Sequence, residues 1–128
     1  MKQKVFLGGT CNNSTWREEL IPMLEKANID YFNPVVEDWT PECQIEEIKQ
    51  RENCDYCLYV ITPQMLGVYS IAEVIDDSNK RPGKTMFAII GEFPKAQKKS
   101  LISVGKMVVT NEGTWCNSLK DIIDTILD

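Results

Sequence analysis

Glu73 is the residue with the most to offer chemically. It stands in Tyr69-Ser-Ile-Ala-Glu73, after the most continuous apolar run of the chain, Tyr56 to Thr62 (YCLYVIT), and the loop Pro63 to Tyr69. Ser70-x-x-Glu73 has the spacing of a capping box, and on that reading the glutamate only closes a helix N-terminus. Its place in the first turn of a helix behind a central strand gives it a second reading. The helix dipole favours the ionised form there. An ionised carboxylate at a cleft, with Tyr69 and Ser70 nearby, can attack an electron-poor carbon such as C1 of a sugar.

The 128 residues include no histidine. Ser-His-Asp and Cys-His pairs and imidazole zinc ligands are therefore excluded. Proton transfer falls to carboxylates, Tyr, Lys, Cys or water. Glu42, Glu46 and Glu47 cluster near the start of the preceding helix. They read as solvent-facing charges, or one of them protonates a departing base if burial raises its pKa.

Two loops share the edge of the sheet where Glu73 is expected. Gly8-Gly9-Thr10-Cys11-Asn12-Asn13-Ser14 feeds a helix N-terminus, where glycines let a ligand approach and free N–H groups favour an anion or an oxygen-rich group. The same pattern suits a tight, capped turn, and it is neither a Walker loop nor GxGxxG. Asn33-Pro-Val-Val-Glu-Asp38-Trp39 offers an indole and two carboxylates. Trp39 either pins its own loop or stacks on a base or sugar face.

The elements that must position these residues alternate strand and helix five times. Lys4–Gly8, Ile29–Asn33, Tyr56–Thr62, Lys84–Ile90 and Gly105–Thr110 read as strands. Thr15–Lys26, Cys43–Glu52 (with Ile45 and Ile48 inward), Ser70–Ser78, Lys95–Ser103 and Asn117–Leu127 read as helices. Thr15-Trp-Arg-Glu18 fits a capping box. Near-unbroken apolar strands alternating with helices predict an α/β, flavodoxin-like three-layer sandwich. Its five-stranded parallel sheet takes the order 2-1-3-4-5 in one domain spanning residues 1–128. Ligands then bind beyond the carboxyl ends of the strands, between strands 1 and 3. Asp55, which precedes strand 3, belongs to the opposite edge and is structural.

Fourteen Lys+Arg against nineteen Asp+Glu give a net charge of −5. That balance argues against nucleic acid as a partner, and Lys95 to Lys99 (KAQKK) reads as a solvated helix face. No apolar run reaches the ~18 residues that cross a bilayer, and no basic-then-apolar leader precedes the first strand. Five cysteines, an odd count, suit reduced thiols in a cytoplasmic protein, and Cys54-x-x-Cys57 reads as packing thiols. A flavodoxin is a further reading, but the first loop lacks the hydroxyl spacing that cradles a flavin phosphate. A receiver domain needs acids where strands 1 and 3 end, and here they end in Gly8-Gly9 and Thr62.

Val5-Phe-Leu-Gly-Gly-Thr10, Ser14-Thr-Trp-Arg-Glu18, Tyr31-Phe-Asn-Pro-Val-Val36, Asp38-Trp39-Thr40 and Tyr69-Ser-Ile-Ala-Glu73 together resemble the nucleoside 2-deoxyribosyltransferase-like family. The resemblance covers roughly residues 4 to 90. It implies chemistry at an N-glycosidic bond of a nucleoside or nucleotide, without metal or organic cofactor, in a homo-oligomer whose neighbour completes the site. It further implies Glu73 as the nucleophile that forms a glycosyl ester and Glu47 as the residue that protonates the leaving base. Gly9, Thr10, Asn12, Asn33, Asp38, Trp39, Tyr69 and Ser70 would contact the substrate. Gly67 stands where the transferases carry a further carboxylate, so 2-deoxyribosyl transfer, hydrolysis and catalytically silent binding of a nucleotide derivative all stay open.

Overall fold

Apolar residues at alternate strand positions divide between two cores, one on each face of the sheet. In the computed structural model, which describes residues 2–11 and 13–128, the strands are β1 (Lys4–Gly9), β2 (Asp30–Phe32), β3 (Tyr56–Ile61), β4 (Thr85–Ile89) and β5 (Thr114–Cys116). All pairings are parallel and the order is β2-β1-β3-β4-β5, as the sequence predicts. Val5, Leu7, Leu58, Val60, Met86 and Ala88 face one side. Phe6, Cys57, Tyr59, Ile61 and Phe87 face the other. This is the period-2 geometry of a sheet buried on both faces.

Helices α1 (Trp16–Lys26) and α5 (Leu119–Leu127) cover the first face through Trp16, Leu20, Leu24, Ile122, Ile123 and Ile126. Helices α3 (Tyr69–Lys80) and α4 (Lys95–Thr110) cover the second through Val74, Leu101 and Val108. Helix α2 (Pro41–Asn53) lies beside α3 but supplies almost nothing apolar. Among the described residues its one buried side chain is Arg51. Ile45 and Ile48, expected inward, are exposed. The stripe of α2 that lines the hollow beside α3 is instead Gln44, Glu47 and Arg51, at helical spacing, with Gln44 exposed and Arg51 buried.

The expected fifth strand at Gly105–Thr110 is the second half of α4. Leu101, Gly105 and Val108 are buried at helical intervals while Met107 and Val109 face out, so the period, not the β-branched Val-Val-Thr composition, decides the element. Gly105 is required because a Cβ there would meet the Trp115 ring at 2.7 Å. The helix then closes with a Schellman motif. Gly113 N–H donates to Val108 O at 2.8 Å and Glu112 N–H to Val109 O at 2.9 Å, with Glu112 in the left-handed region at φ 73°. The edge strand follows at once.

Neither expected capping box forms. Thr15 donates its hydroxyl to Glu19 Oε2 at 3.3 Å rather than capping α1. Helix α3 starts earlier than predicted, with Val68 at the N-cap and Ser70 already inside. Glu73 is thereby released from any capping duty. Asp55 accepts from Lys4 N–H at 2.8 Å at the opposite sheet edge, a structural role. Cys54 and Cys57 are buried free thiols, and burial pushes Cys57 up to about 12.

Candidate active site

Two helices that run side by side each present one stripe to the groove between them. From α2 come Gln44, Glu47, Ile48 and Arg51. From α3 come Tyr69 and Glu73. Trp39, from the loop ahead of α2, closes one wall. The hollow has a volume of about 290 Å³, near the ~300 Å³ lower end of small-molecule sites. A larger apolar groove of about 910 Å³ runs between α3 and α4, but Asp76 is its one ionisable group. The smaller cavity is where reactive groups converge.

Four of the sequence-derived site residues meet there: Glu73, Glu47, Trp39 and Tyr69. Trp39 Nε1 donates to Glu47 Oε2 at 3.5 Å, which holds the exposed indole over the cavity. The Glu73 side chain keeps only 17 % of its surface. Burial pushes its pKa up to about 7, against the pull of Arg51 and with a further push from Glu47, Asp77 and Asp76. The helix dipole expected to favour the ionised form does not overcome that desolvation.

The remaining sequence-derived residues lie outside the cavity. Thr10 is buried, and its hydroxyl oxygen accepts from Thr62 N–H at 2.9 Å. Its side chain therefore ties β1 to β3. Gly9 has φ 115°, and a Cβ would fall 2.1 Å from Val60 O, so glycine there answers to strand packing. Asn33 Oδ1 accepts from Val35 N–H at 3.1 Å and shapes its own turn. Asp38 is exposed and Ser70 half-buried. Asn12 lies outside the described residues.

Two arginines escaped the sequence reading. Arg17 is buried under the first loop, donating to Leu7 O at 2.8 and 3.0 Å and to Thr10 O at 2.7 Å. Arg51 grips three carboxylates of α3. Its Nε and Nη2 donate to the two oxygens of Asp77 at 3.2 and 2.9 Å, and Nη2 also reaches Asp76 Oδ2 at 3.0 Å. Its Nη1 lies 3.6 Å from Glu73 Oε2. Asp77, fully buried, further accepts from Tyr59 Oη at 2.5 Å and from Arg81. The signal for Arg51 was present: it falls four residues after Glu47, on the same helix face.

A family model described as nucleoside 2-deoxyribosyltransferase like matches residues 2–93. The chain belongs to this family. The match runs from β1 past β4 and contains every residue that lines the cavity between α2 and α3. No curated protein matches the sequence. As a member of the nucleoside 2-deoxyribosyltransferase-like family the chain has its Tyr69-Ser-Ile-Ala-Glu73 segment at the start of α3, behind the central strand. Among the described residues no helix is long and apolar enough to cross a membrane.

Proposed function

We propose that the protein cleaves the N-glycosidic bond of a nucleoside or nucleotide, with Glu73 as nucleophile and Glu47 as proton donor. The observation that carries this reading is the convergence of both carboxylates on one small cavity under an indole. A Glu73 oxygen attacks C1 of the sugar as the bond from C1 to the base nitrogen breaks. The bonding pair leaves with the base, and Glu47 supplies its proton. A second base or water then attacks C1, the glycosyl ester breaks, and Glu73 returns as a carboxylate. With either acceptor, the proton on the attacking nitrogen or oxygen goes to Glu47, which is thereby restored as the acid.

The burial of Glu73 supports the role. A carboxylate whose pKa lies at about 7 is more basic than an ordinary glutamate, yet about half of it is ionised at neutral pH. The indole of Trp39 covers the base, and Tyr69 lies at the rim. Trp39, Ile48 and Tyr69 are exposed at the cavity, with Ile45 and Val68 nearby in sequence. Such a patch suits an interface, and we assign it to a second copy of the chain. The free cysteines suit a cytoplasmic protein.

Incubation with a panel of nucleosides and their 5′ phosphates, with and without an acceptor base, reads free base and exchanged nucleoside. Base release that Glu73→Ala abolishes is the expected result. Release that survives in Glu73→Ala overturns the nucleophile assignment. The second reading is a non-catalytic binder of nucleotide derivatives, favoured by the acid-free loop at 63–69 around Gly67. It predicts saturable binding with no free base from any member of the panel.

A further inference from the structure

Arg51 is the single buried side chain on α2, and every contact of its guanidinium group on α3 is a carboxylate at the spacing 73, 76, 77. Asp77 takes it bidentately, the geometry that fixes a guanidinium plane. Asp76 takes a second bond from Nη2. Those bonds leave Nη1 aimed at Glu73. Asp77 is itself held by Tyr59 and Arg81, so the anchor is braced independently of Arg51.

We propose that Arg51 is a positioning residue of the site, supplying the counter-charge of Glu73 and fixing the spacing between Glu73 and Glu47. The proposal rests on the reading of Glu73 as the reacting carboxylate. The groups that face Glu73 are Glu47 and Arg51 from α2, Asp76 and Asp77 from α3, and Tyr59 from β3. Three of those five are carboxylic acids, Tyr59 is a phenol held neutral by burial, and Arg51 is the cation among them. Apolar packing does not hold α2 against its neighbours, since Ile45 and Ile48 are turned out. The guanidinium therefore ties α2 to α3, beside the contacts of Glu52 with Arg81 and Lys84 at the helix end, and Glu47 sits one helical turn from it on the same face. The same residue tunes one carboxylate and places the other.

The test is a titration of the Glu73 carboxyl by 13C NMR in the wild-type chain and in Arg51→Gln, Arg51→Lys and Arg81→Gln. Arg51→Gln raises the Glu73 midpoint by about 1 pH unit or more, because an adjacent arginine ordinarily lowers a carboxylate by about 1–3. Arg51→Lys keeps a charge on Asp77, so it folds even if the glutamine variant does not. Its ammonium cannot fork to Glu73, so the midpoint still rises, by less. Arg81→Gln disturbs the same Asp77 and the Arg81–Glu52 pair to α2 without reaching Glu73, and leaves the midpoint in place. A midpoint unmoved in both Arg51 variants, or moved equally by Arg81→Gln, overturns the proposal.

The acid limb of kcat for base release moves up with the midpoint in the Arg51 variants, and the rate recovers at higher pH. A merely architectural loss lowers the rate at every pH alike. If the wild-type chain releases no base, the proposed function fails while the titration still decides the counter-charge role of Arg51. If base is released and the limb does not move, Arg51 fails and the function stands.

Discussion

Replacing Glu73 by glutamine stabilises the protein at neutral and alkaline pH while removing its proposed chemistry. The ordinary pKa is 4.5 and the folded value about 7, a gap of about 2.5 pH units at ~1.4 kcal/mol each, which sets a ceiling of roughly 3.5 kcal/mol. The side chain keeps 17 % of its surface in water. Solvent screening therefore brings the expected gain to about 2 kcal/mol, or about 8 °C in Tm for a chain of this size. Because the folded value is raised, the wild-type chain has its full stability below about pH 4.5, where both folded and unfolded carboxyls are protonated. It loses stability as the pH rises from about 4.5 to 7, while the unfolded chain ionises first. The difference between Glu73→Gln and wild type is thus near zero at pH 4, grows through pH 6, and is constant above pH 7.5. Urea unfolding at five or six pH values measures it. A difference that is flat with pH, or a variant less stable than wild type at pH 8, refutes the reasoning, because either result means that ionised Glu73 carries no burial penalty.

Gly105→Ala places a Cβ 2.7 Å from the Trp115 ring and costs about 1–3 kcal/mol by overpacking. It lowers Tm by several degrees without changing the kinetics of base release, and a Tm equal to wild type counts against the packing of α4 on β5. Trp39→Ala removes an indole that is 59 % exposed, so unfolding free energy stays within about 0.5 kcal/mol. KM rises about tenfold, as expected for a lost base stack worth ~1–3 kcal/mol, and an unchanged KM removes Trp39 from the binding surface.

The central strand and the sheet order were legible in the sequence because each rests on a pattern of apolar strands alternating with helices. The cavity was not, since the sequence points beyond strands 1 and 3 while the two carboxylates meet between α2 and α3. Tyr56 to Ile61 is apolar throughout because both its faces are covered, and nothing else in the chain competes with it for the middle of the sheet. The Val108-Val109-Thr110 run misled because β-branched composition and helical period conflict there, and burial on Leu101, Gly105 and Val108 settles the conflict in favour of the helix. The Schellman closure was hidden for a related reason: its left-handed residue is Glu112, and the glycine comes one place later. Ile45 and Ile48 misled in the opposite sense. An isoleucine on a helix reads as inward, but α2 is held by ion pairs and leaves those two side chains out. Glu73 and Glu47 could be found singly; the spacing of Arg51 from Glu47 puts those two on one helix face, but the partners of Arg51 come from a helix more than twenty residues away, and no local pattern pairs them.

A wall that the hydrophobic interior does not need is a wall that can be rewritten. Since α2 lends neither core an aliphatic side chain and is tied to its neighbours by polar contacts of Arg51 and Glu52, exchanges at Gln44 or Ile48 reshape the cavity wall at little cost to folding. The lining of that wall and the packing of the interior fall on separate positions, so the one is free to drift while the other stays put.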